Sequence, residues 1–280
     1  MHNLTCYHNG KYLQAEEIQV SPWDLGFLRG LGVFDVLPVI GGKAFLWEWH
    51  YERLARSAES LGIALSISKE AYEQILTELI IKNGQNEGLC FRTILSGGVS
   101  QDAFTPELTC ENFMVLTEEL HGVSRETIET GAKLLVLDHV RTFPRVKMTH
   151  YVNAIKTLPE RKAAGALETL YVQDGQVSEC AQSNFFIVKN GVVITTNENA
   201  LLGITQKLIL EVLAPELALK TEVRTLLFEE VLQAEEAFLT GSNKGVVPVV
   251  WVGEHTISDG HPGPITEKLR KAYNNYLKAY

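Results

Sequence analysis

Most of the features that disclose a function class at a glance are missing from this chain. Its four cysteines, Cys6, Cys90, Cys110 and Cys180, are widely scattered and form no CxxC pair. Neither a disulfide framework nor a zinc cluster is signalled, so no metal is expected and a reducing, cytoplasmic setting is. No basic block is longer than the Arg-Lys pairs at Arg161 and Arg270, and the net charge is −9, from 25 basic and 34 acidic side chains. That balance argues against nucleic acid as a partner and leaves room only for a local anion site. The longest near-apolar run, GVVPVVWVG, is far too short to cross a bilayer, and the N-terminus MHNLTCYHNGKYL has no charged head followed by an apolar stretch. No membrane is expected as a partner. A GxGxxG nucleotide loop is also absent: GFLRGLG at residues 26–32 has the wrong spacing and no helical pattern after it. Its ordinary reading is a glycine-kinked loop entering a strand at Val33.

What is present is a well-furnished globular chain. With 280 residues, 45% of them hydrophobic, it has the material for one large domain or two moderate ones. Short alternating segments recur around hairpin-forming pairs: Asn9-Gly10, Gly41-Gly42, Asp174-Gly175 and Asn190-Gly191. Antiparallel sheet is therefore the dominant signal. GVFDVLPVIGGKAFLW reads as a hairpin, and LCFRTILS and CENFMVLT as two further strands. Two helices lie between them. WHYERLARSAESLG places Leu54, Ala58 and Leu61 on one face, and SKEAYEQILTELIIKNG has Ser68 as cap, Tyr72, Ile75, Leu76, Leu79 and Ile80 inward, and Gly84 as stop. This is a small α+β domain over 1–116. The charged stretch that follows, poor in core residues, serves as a linker over 117–131.

A larger domain over 132–280 carries the strands ETLYVQDG, QVSE, NFFIVKN, GVVITT, EEAFLTGS and VVPVVWVG, with helices near 151–165, 205–213 and 264–279. Pro264 suits the first turn of the last. No strand-helix-strand rhythm repeats, which argues against a doubly wound sheet.

Lys147, in FPRVKMTHYVNA, stands between a hydrophobic entry and the first turn of a helix. An ammonium there must reach solvent, find a counter-charge, or be held uncharged as a nucleophile towards carbonyls. The segments beyond it bear on the choice. QVSECAQSNFFIVKNG puts Glu179 at the end of one strand and Asn184 at the start of the next, with small or polar residues between them. LLGITQKLI offers Gly203, Ile204 and Thr205 directly ahead of a helix, where backbone N–H groups and a hydroxyl suit a phosphate. Thr205 also reads as a plain N-cap. FLTGSNKGVVPVV supplies a further turn at Gly241 and Ser242, either an anion nest or a hairpin connection. Together the motifs describe a carbonyl nucleophile, a carboxylate and a phosphate cradle.

In these motifs the chain resembles the pyridoxal-phosphate aminotransferases of fold type IV, which include D-amino-acid and branched-chain aminotransferases and aminodeoxychorismate lyase. The likeness spans nearly the whole sequence. It is carried by Arg53 in HYERLARSAE, Lys147 in RVKMTHY, Glu179 and Asn184 in SECAQSNFF, the GIT of 203–205, and Ser242 in FLTGSN. The resemblance implies an α+β, two-domain fold with mostly antiparallel sheets and helices. It implies that Lys147 forms the Schiff base with pyridoxal phosphate and shuttles the substrate proton, and that Glu179 accepts the pyridine nitrogen's proton. It further implies that Arg53 holds the phosphate, assisted by Ile204, Thr205 and Ser242, that Tyr151 hydrogen-bonds the phenolic oxygen, and that Gln182, Ser183, Asn184, Gly203 and Gly241 complete the surroundings. The reaction implied is transamination between an amino acid and a 2-oxo acid in a homodimer. For Arg53 an exposed helix position is the alternative, and for Tyr151 helix-to-core packing.

Departures from the family pattern concern specificity. His150 stands where many relatives have asparagine, and Gln182 where D-amino-acid enzymes commonly have serine. Gln101 and Ala103 occupy the positions of the arginine and histidine that hold the α-carboxylate in well-known D-amino-acid enzymes, and Phe34 replaces their tyrosine. The tyrosine-x-arginine-proline run of the branched-chain enzymes is absent, with Arg92 one position off. A substrate carboxylate still needs a cation, and Arg29 and Arg92 are the candidates, with a solvated loop residue and a cross-strand ion pair as their respective alternatives. Phe34 adds an apolar wall. Two other readings stay open: pyruvate elimination of the aminodeoxychorismate lyase kind, and a pyridoxal-phosphate-binding scaffold without turnover. The hand of the amino acid is not legible in these residues.

Overall fold

The computed structural model describes residues 4–84, 88–107 and 110–280. The described chain divides into two compact units. The first runs through His121 and takes in Val146–His150 and Tyr280, and the second comprises Gly122–Arg145 and Tyr151–Ala279.

In the first unit six strands form one sheet. They are β1 (Thr5–His8), β2 (Lys11–Gln14), β3 (Gly32–Ile40), β4 (Lys43–Ala44), β5 (Leu89–Ser96) and β6 (Asn112–Glu119), in the order β2-β1-β6-β5-β3-β4. All of its pairings are antiparallel. The Asn9-Gly10 and Gly41-Gly42 turns close the hairpins as the sequence predicts, Asn9 with φ 43 and Gly10 with φ 88. Three helices, α1 (Leu25–Arg29), α2 (Trp47–Ser60) and α3 (Lys69–Lys82), complete the unit. Leu54, Ala58, Tyr72, Ile75, Leu76 and Leu79 of α2 and α3 pack on Val33, Leu37, Phe91, Leu95 and Val115 of the sheet. These are the odd-numbered positions of β3, β5 and β6, so the period-2 pleat sends Phe34, Val36, Arg92, Ile94, Leu116 and Glu118 to the other face.

The segment read as a kinked loop contains a short helix. Asp24, buried, accepts hydrogen bonds from the Gly26 N–H at 2.7 Å, the Ser96 hydroxyl at 2.8 Å and the Asn112 amide at 3.2 Å, and so caps and anchors α1. A side chain at Gly26 would bring its Cβ within 2.7 Å of the Ser96 Cβ, which explains the glycine. Gly30, at φ 69, ends the helix in the left-handed conformation.

The second unit is built on a ten-stranded sheet. Its strands are β7 (Ala132–Asp138), β8 (Glu168–Gln173), β9 (Gln176–Cys180), β10 (Asn184–Lys189), β11 (Val192–Thr195), β12 (Thr221–Val223), β13 (Leu226–Leu227), β14 (Glu236–Gly241), β15 (Gly245–Val252) and β16 (His255–Thr256). The order is β12-β11-β10-β14-β15-β7-β8-β9-β13, with β16 on β15. β11/β12, β15/β7 and β7/β8 are parallel and the other pairs antiparallel. Helix α4 (Arg125–Thr130) precedes β7. The helix expected near 151–165 is divided into α5 (Val152–Lys156) and α6 (Leu158–Ala163). Pro159, which has no N–H to continue the ladder, sits in the first turn of α6 and accounts for the break. Beyond β11, α7 (Ile204–Leu208) runs through a π-helical stretch, Ile209–Leu213, into α8 (Ala214–Glu216). The unit is completed by α9 (Phe228–Leu232) and α10 (Pro264–Ala279).

Candidate active site

In the first unit a buried ion cluster lies against the helical face of the sheet. Asp35 on β3 is fully buried and takes the Nε–H and an Nη2–H of Arg53, both at 2.8 Å, together with the Nδ1–H of His50 at 2.6 Å. His50 and Arg53 are one turn apart on α2, so both point at the same carboxylate. Burial alone would raise the Asp35 pKa, but the Arg53 charge and then His50 outweigh it and hold the carboxyl well below its usual range. Burial pushes His50 down, against the pull of Asp35, with the Arg53 and Lys147 charges adding to the effect. Facing an ionised carboxylate, the His50 ring carries a proton on Nδ1. Its buried Nε2 has no hydrogen-bond partner.

Lys147 belongs to this unit. Its N–H donates to the Ser57 hydroxyl of α2 at 3.2 Å, its C=O accepts from the Phe34 N–H at 2.9 Å, and Met148 bridges to Val33. The segment thus lies along β3 as an extended edge, which buries Val146 and turns Lys147 the other way. Its Nζ lies 4.7 Å from the Phe34 ring centroid, and the Arg92 Cζ lies 5.7 Å from the same ring. Arg92 is forked on Glu118, Nε to Oε1 at 2.6 Å and Nη2 to Oε2 at 2.9 Å. Phe34, Arg92 and Lys147 are therefore together on the sheet face away from the helices, while Arg53 is on the helical side. Arg29 ends α1 and donates to the Ala103 carbonyl at 3.2 Å.

In the second unit Glu179 is buried on β9. Its Oε2 accepts the Leu201 N–H at 3.0 Å, and the Arg141 Nη2 lies 2.5 Å from its Oε1. Arg141 also donates to the Pro144 carbonyl. Tyr151 is the residue before α5, and its hydroxyl adds to the field around Tyr171. The Tyr171 phenol is pushed up to about 12, chiefly by burial, with Arg141 opposing and Glu179 reinforcing the shift. The β9–β10 turn is held from below by Glu168, which accepts the Gln182 N–H at 2.9 Å and the Ser183 hydroxyl at 2.5 Å and pairs with Lys244 at 3.0 Å. Asn184 donates to the Leu201 carbonyl at 2.7 Å, and a Cβ on Gly203 would overlap its side-chain oxygen. The Gly203 N–H donates to the Gln206 side chain at 3.2 Å, so this amide serves the helix start. The Thr205 hydroxyl hydrogen-bonds Tyr273 of α10, whose pKa burial raises to about 12. Gly241 and Ser242 lie where β14 turns into β15, and a Cβ on Gly241 would lie 3.4 Å from the Ser183 Oγ.

Several of these groups escape a reading of the sequence alone. Asp35 looks like a turn-forming interruption of an apolar strand, Glu168 like a strand end, and Lys244 like a solvated hairpin residue. Arg141 reads only as one of two arginines shortly before the lysine. Among the described residues no group of three or more His, Cys, Asp or Glu is arranged to hold a metal, and no helix is long and apolar enough to cross a membrane.

A family model described as amino-transferase class IV matches residues 32–252. The chain is 28% identical over 277 residues to the D-alanine aminotransferase of Bacillus licheniformis, across 96% of this chain and 95% of that one. It is 29% identical over 280 residues to the aminodeoxychorismate lyase of Bacillus subtilis, across 97% and 94%. In fold it matches a branched-chain amino acid aminotransferase from T.th., solved with pyridoxamine 5'-phosphate, with a TM-score of 0.89 at 24% identity, covering 98% of this chain and 94% of that one.

Proposed function

The chain belongs to the class IV aminotransferases of fold type IV, and from that membership we propose that Lys147 bonds the aldehyde of pyridoxal phosphate and moves the substrate's α-proton. The observation that carries the proposal is Lys147 itself, half-buried, held at both backbone groups and set against an aromatic ring beside a second cation. The donor set fits the cofactor. The first unit offers a primary amine and a guanidinium, and the second offers a buried carboxylate fixed by Arg141 and Leu201 and a helix start whose glycine leaves no room for a side chain. Pyridoxal phosphate, when bound, supplies the electron sink for the α-carbon and carries the amino nitrogen from donor to acceptor.

Glu179 is the acceptor for the pyridine N–H, and Arg141 and the Leu201 amide fix the direction of its carboxylate. Arg53, Ile204, Thr205 and Ser242 hold the phosphate, with Gln182, Ser183, Asn184, Gly203 and Gly241 shaping the turns around it. Tyr151 hydrogen-bonds the ring oxygen. Arg29 and Arg92 neutralise substrate carboxylates, and Phe34 forms an apolar wall. The protein works as a homodimer in the cytoplasm, a setting that fits its four unpaired thiols.

The test is spectroscopic. Protein loaded with pyridoxal phosphate is expected to show a visible absorbance band that bleaches when a donor amino acid is added anaerobically without an acceptor. The screen covers both hands of alanine, glutamate, leucine and valine. Borohydride reduction is expected to add the cofactor's mass to the peptide containing Lys147, and Lys147→Ala to abolish both signals. A protein with no such band would sink the assignment. The 29% identity to a lyase favours a second reading, elimination of pyruvate. Conversion of an amino acid only when a 2-oxo acid is supplied excludes it.

A further inference from the structure

The face of β3, β5 and β6 away from the helices is nearly apolar. Phe34, Val36 and Pro38 line β3, Cys90 and Ile94 line β5, and Met114 and Leu116 line β6. Ser96 and Asn112 at one end of it bond Asp24, and an ion pair interrupts the apolar stretch. Arg92 stands directly opposite Leu116, and Glu118, two residues further along β6, reaches it on the diagonal with both carboxylate oxygens. The same face holds Lys147 against Phe34. Arg92, which the proposed function assigns to substrate carboxylates, is therefore already engaged by a carboxylate of its own chain, in the bidentate geometry an incoming one would use.

We propose that Glu118 is a specificity-determining residue: it occupies the carboxylate-binding edge of Arg92, so that a substrate's side-chain carboxylate gains that site only by displacing it. The proposal rests on the proposed transamination. The pair is partly open to water, with the Arg92 side chain 36% and the Glu118 side chain 24% exposed, so Glu118 has solvent to swing into. The exchange replaces one forked contact with another and leaves Glu118 to be hydrated, so the net gain for a dicarboxylate is small. An apolar side chain instead packs on Phe34, Ile94 and Leu116 beside a pair that is already neutral as a unit, and disturbs nothing. The face thus favours apolar amino acids over glutamate and aspartate through an internal competitor and not through the absence of a cation. Glu118→Gln keeps the size of the side chain and one acceptor oxygen but gives up the charge and the second acceptor. The competitor becomes weak and Arg92 opens to a distal carboxylate.

Two measurements on the pyridoxal-phosphate-loaded protein test this. In the first, kcat/KM is compared for glutamate and for leucine, both of the hand that the wild type accepts. Glu118→Gln is expected to raise the glutamate-to-leucine ratio at least tenfold, and Glu118→Asp, which keeps a shortened competitor, to fall between wild type and the glutamine variant. In the second, glutarate, a dicarboxylate that carries no amino group and cannot turn over, is titrated by calorimetry. Its Kd is expected to tighten about tenfold in Glu118→Gln. An unchanged ratio with an unchanged glutarate Kd overturns the proposal. An equal rise for leucine and glutamate overturns it too, since Glu118 would then oppose every substrate alike. A wild type that binds glutarate but bleaches with no amino acid would reject the transamination reading and leave the competition at Arg92 measurable.

Discussion

Asp35 carries a heavy electrostatic demand. A fully buried carboxylate is costly unless its charge is paired and its oxygens are satisfied, and Arg53 and His50 supply both requirements. The pH dependence follows from the direction of each shift. The folded pKa of His50 is depressed, so below about 6.5, its ordinary value, the unfolded chain takes up a proton that the folded one refuses. Stability is then lost as pH falls. Asp35 is depressed as well, so its contribution is complete above about 3.9 and disappears only as pH falls through its lower folded value. The two groups act in separate windows. His50→Gln is expected to lower the thermal midpoint at every pH and to flatten its decline between pH 6.5 and 5. A variant whose midpoint falls as steeply as the wild type's over that interval would place the titration elsewhere.

The start of α10 illustrates what an element takes from outside its own sequence. Pro264 at its first position is legible as a helix opening, but the orphan amides behind it are met by Glu236 on β14, which accepts the Ile265 N–H at 2.9 Å and the Thr266 N–H at 2.7 Å. A Cβ on Gly263 would overlap that carboxylate, so the glycine and the glutamate form one device. Glu236→Gln turns an acceptor into a donor facing an amide and removes a charge from the positive end of the helix. It is expected to cost about 1–3 kcal/mol, read as a shift in urea midpoint with unchanged m. The same contrast runs through the molecule. The strand over Leu89–Ser96 and helices α2 and α3 were legible because their apolar periods are long enough to fix a face. The five-residue α1 was not, since it offers hardly more than one turn of pattern and its cap is a side chain shared with remote Ser96 and Asn112. In the site, Lys147, Glu179 and the 203–205 turn sit in recognisable local motifs. Arg141 acts on Glu179, and Glu168 with Lys244 on the Gln182–Ser183 turn, through folded proximity, which no local pattern records.

At the scale of the whole molecule the two units have separate cores, one under α2 and α3 and one around β7, β8, β10, β14 and β15. Burial within the first unit leaves a conspicuous remainder. Trp23 is 61% exposed, Phe27 77% and Phe104 75%, with Val20 and Val99 each 45%. These side chains flank elements joined by the Asp24–Val99 bridge and by the Arg29 bond to the Ala103 carbonyl. Large exposed aromatics clustered in this way are rare on a monomer and typical of a surface covered by a partner. The proposed homodimer supplies the partner, a second copy of the chain. Arg29 lies on the same segment, so its assignment to a substrate carboxylate and the assembly are linked: disrupting the face should disturb substrate binding as well as association. Phe27→Glu puts a charge at the most exposed of these positions without touching either core. It is expected to shift the sedimentation coefficient from dimer to monomer at micromolar protein and to raise the amino-acid KM, while far-ultraviolet circular dichroism stays as in the wild type. A variant that remains dimeric would show that this aromatic cluster is not the surface the two copies share.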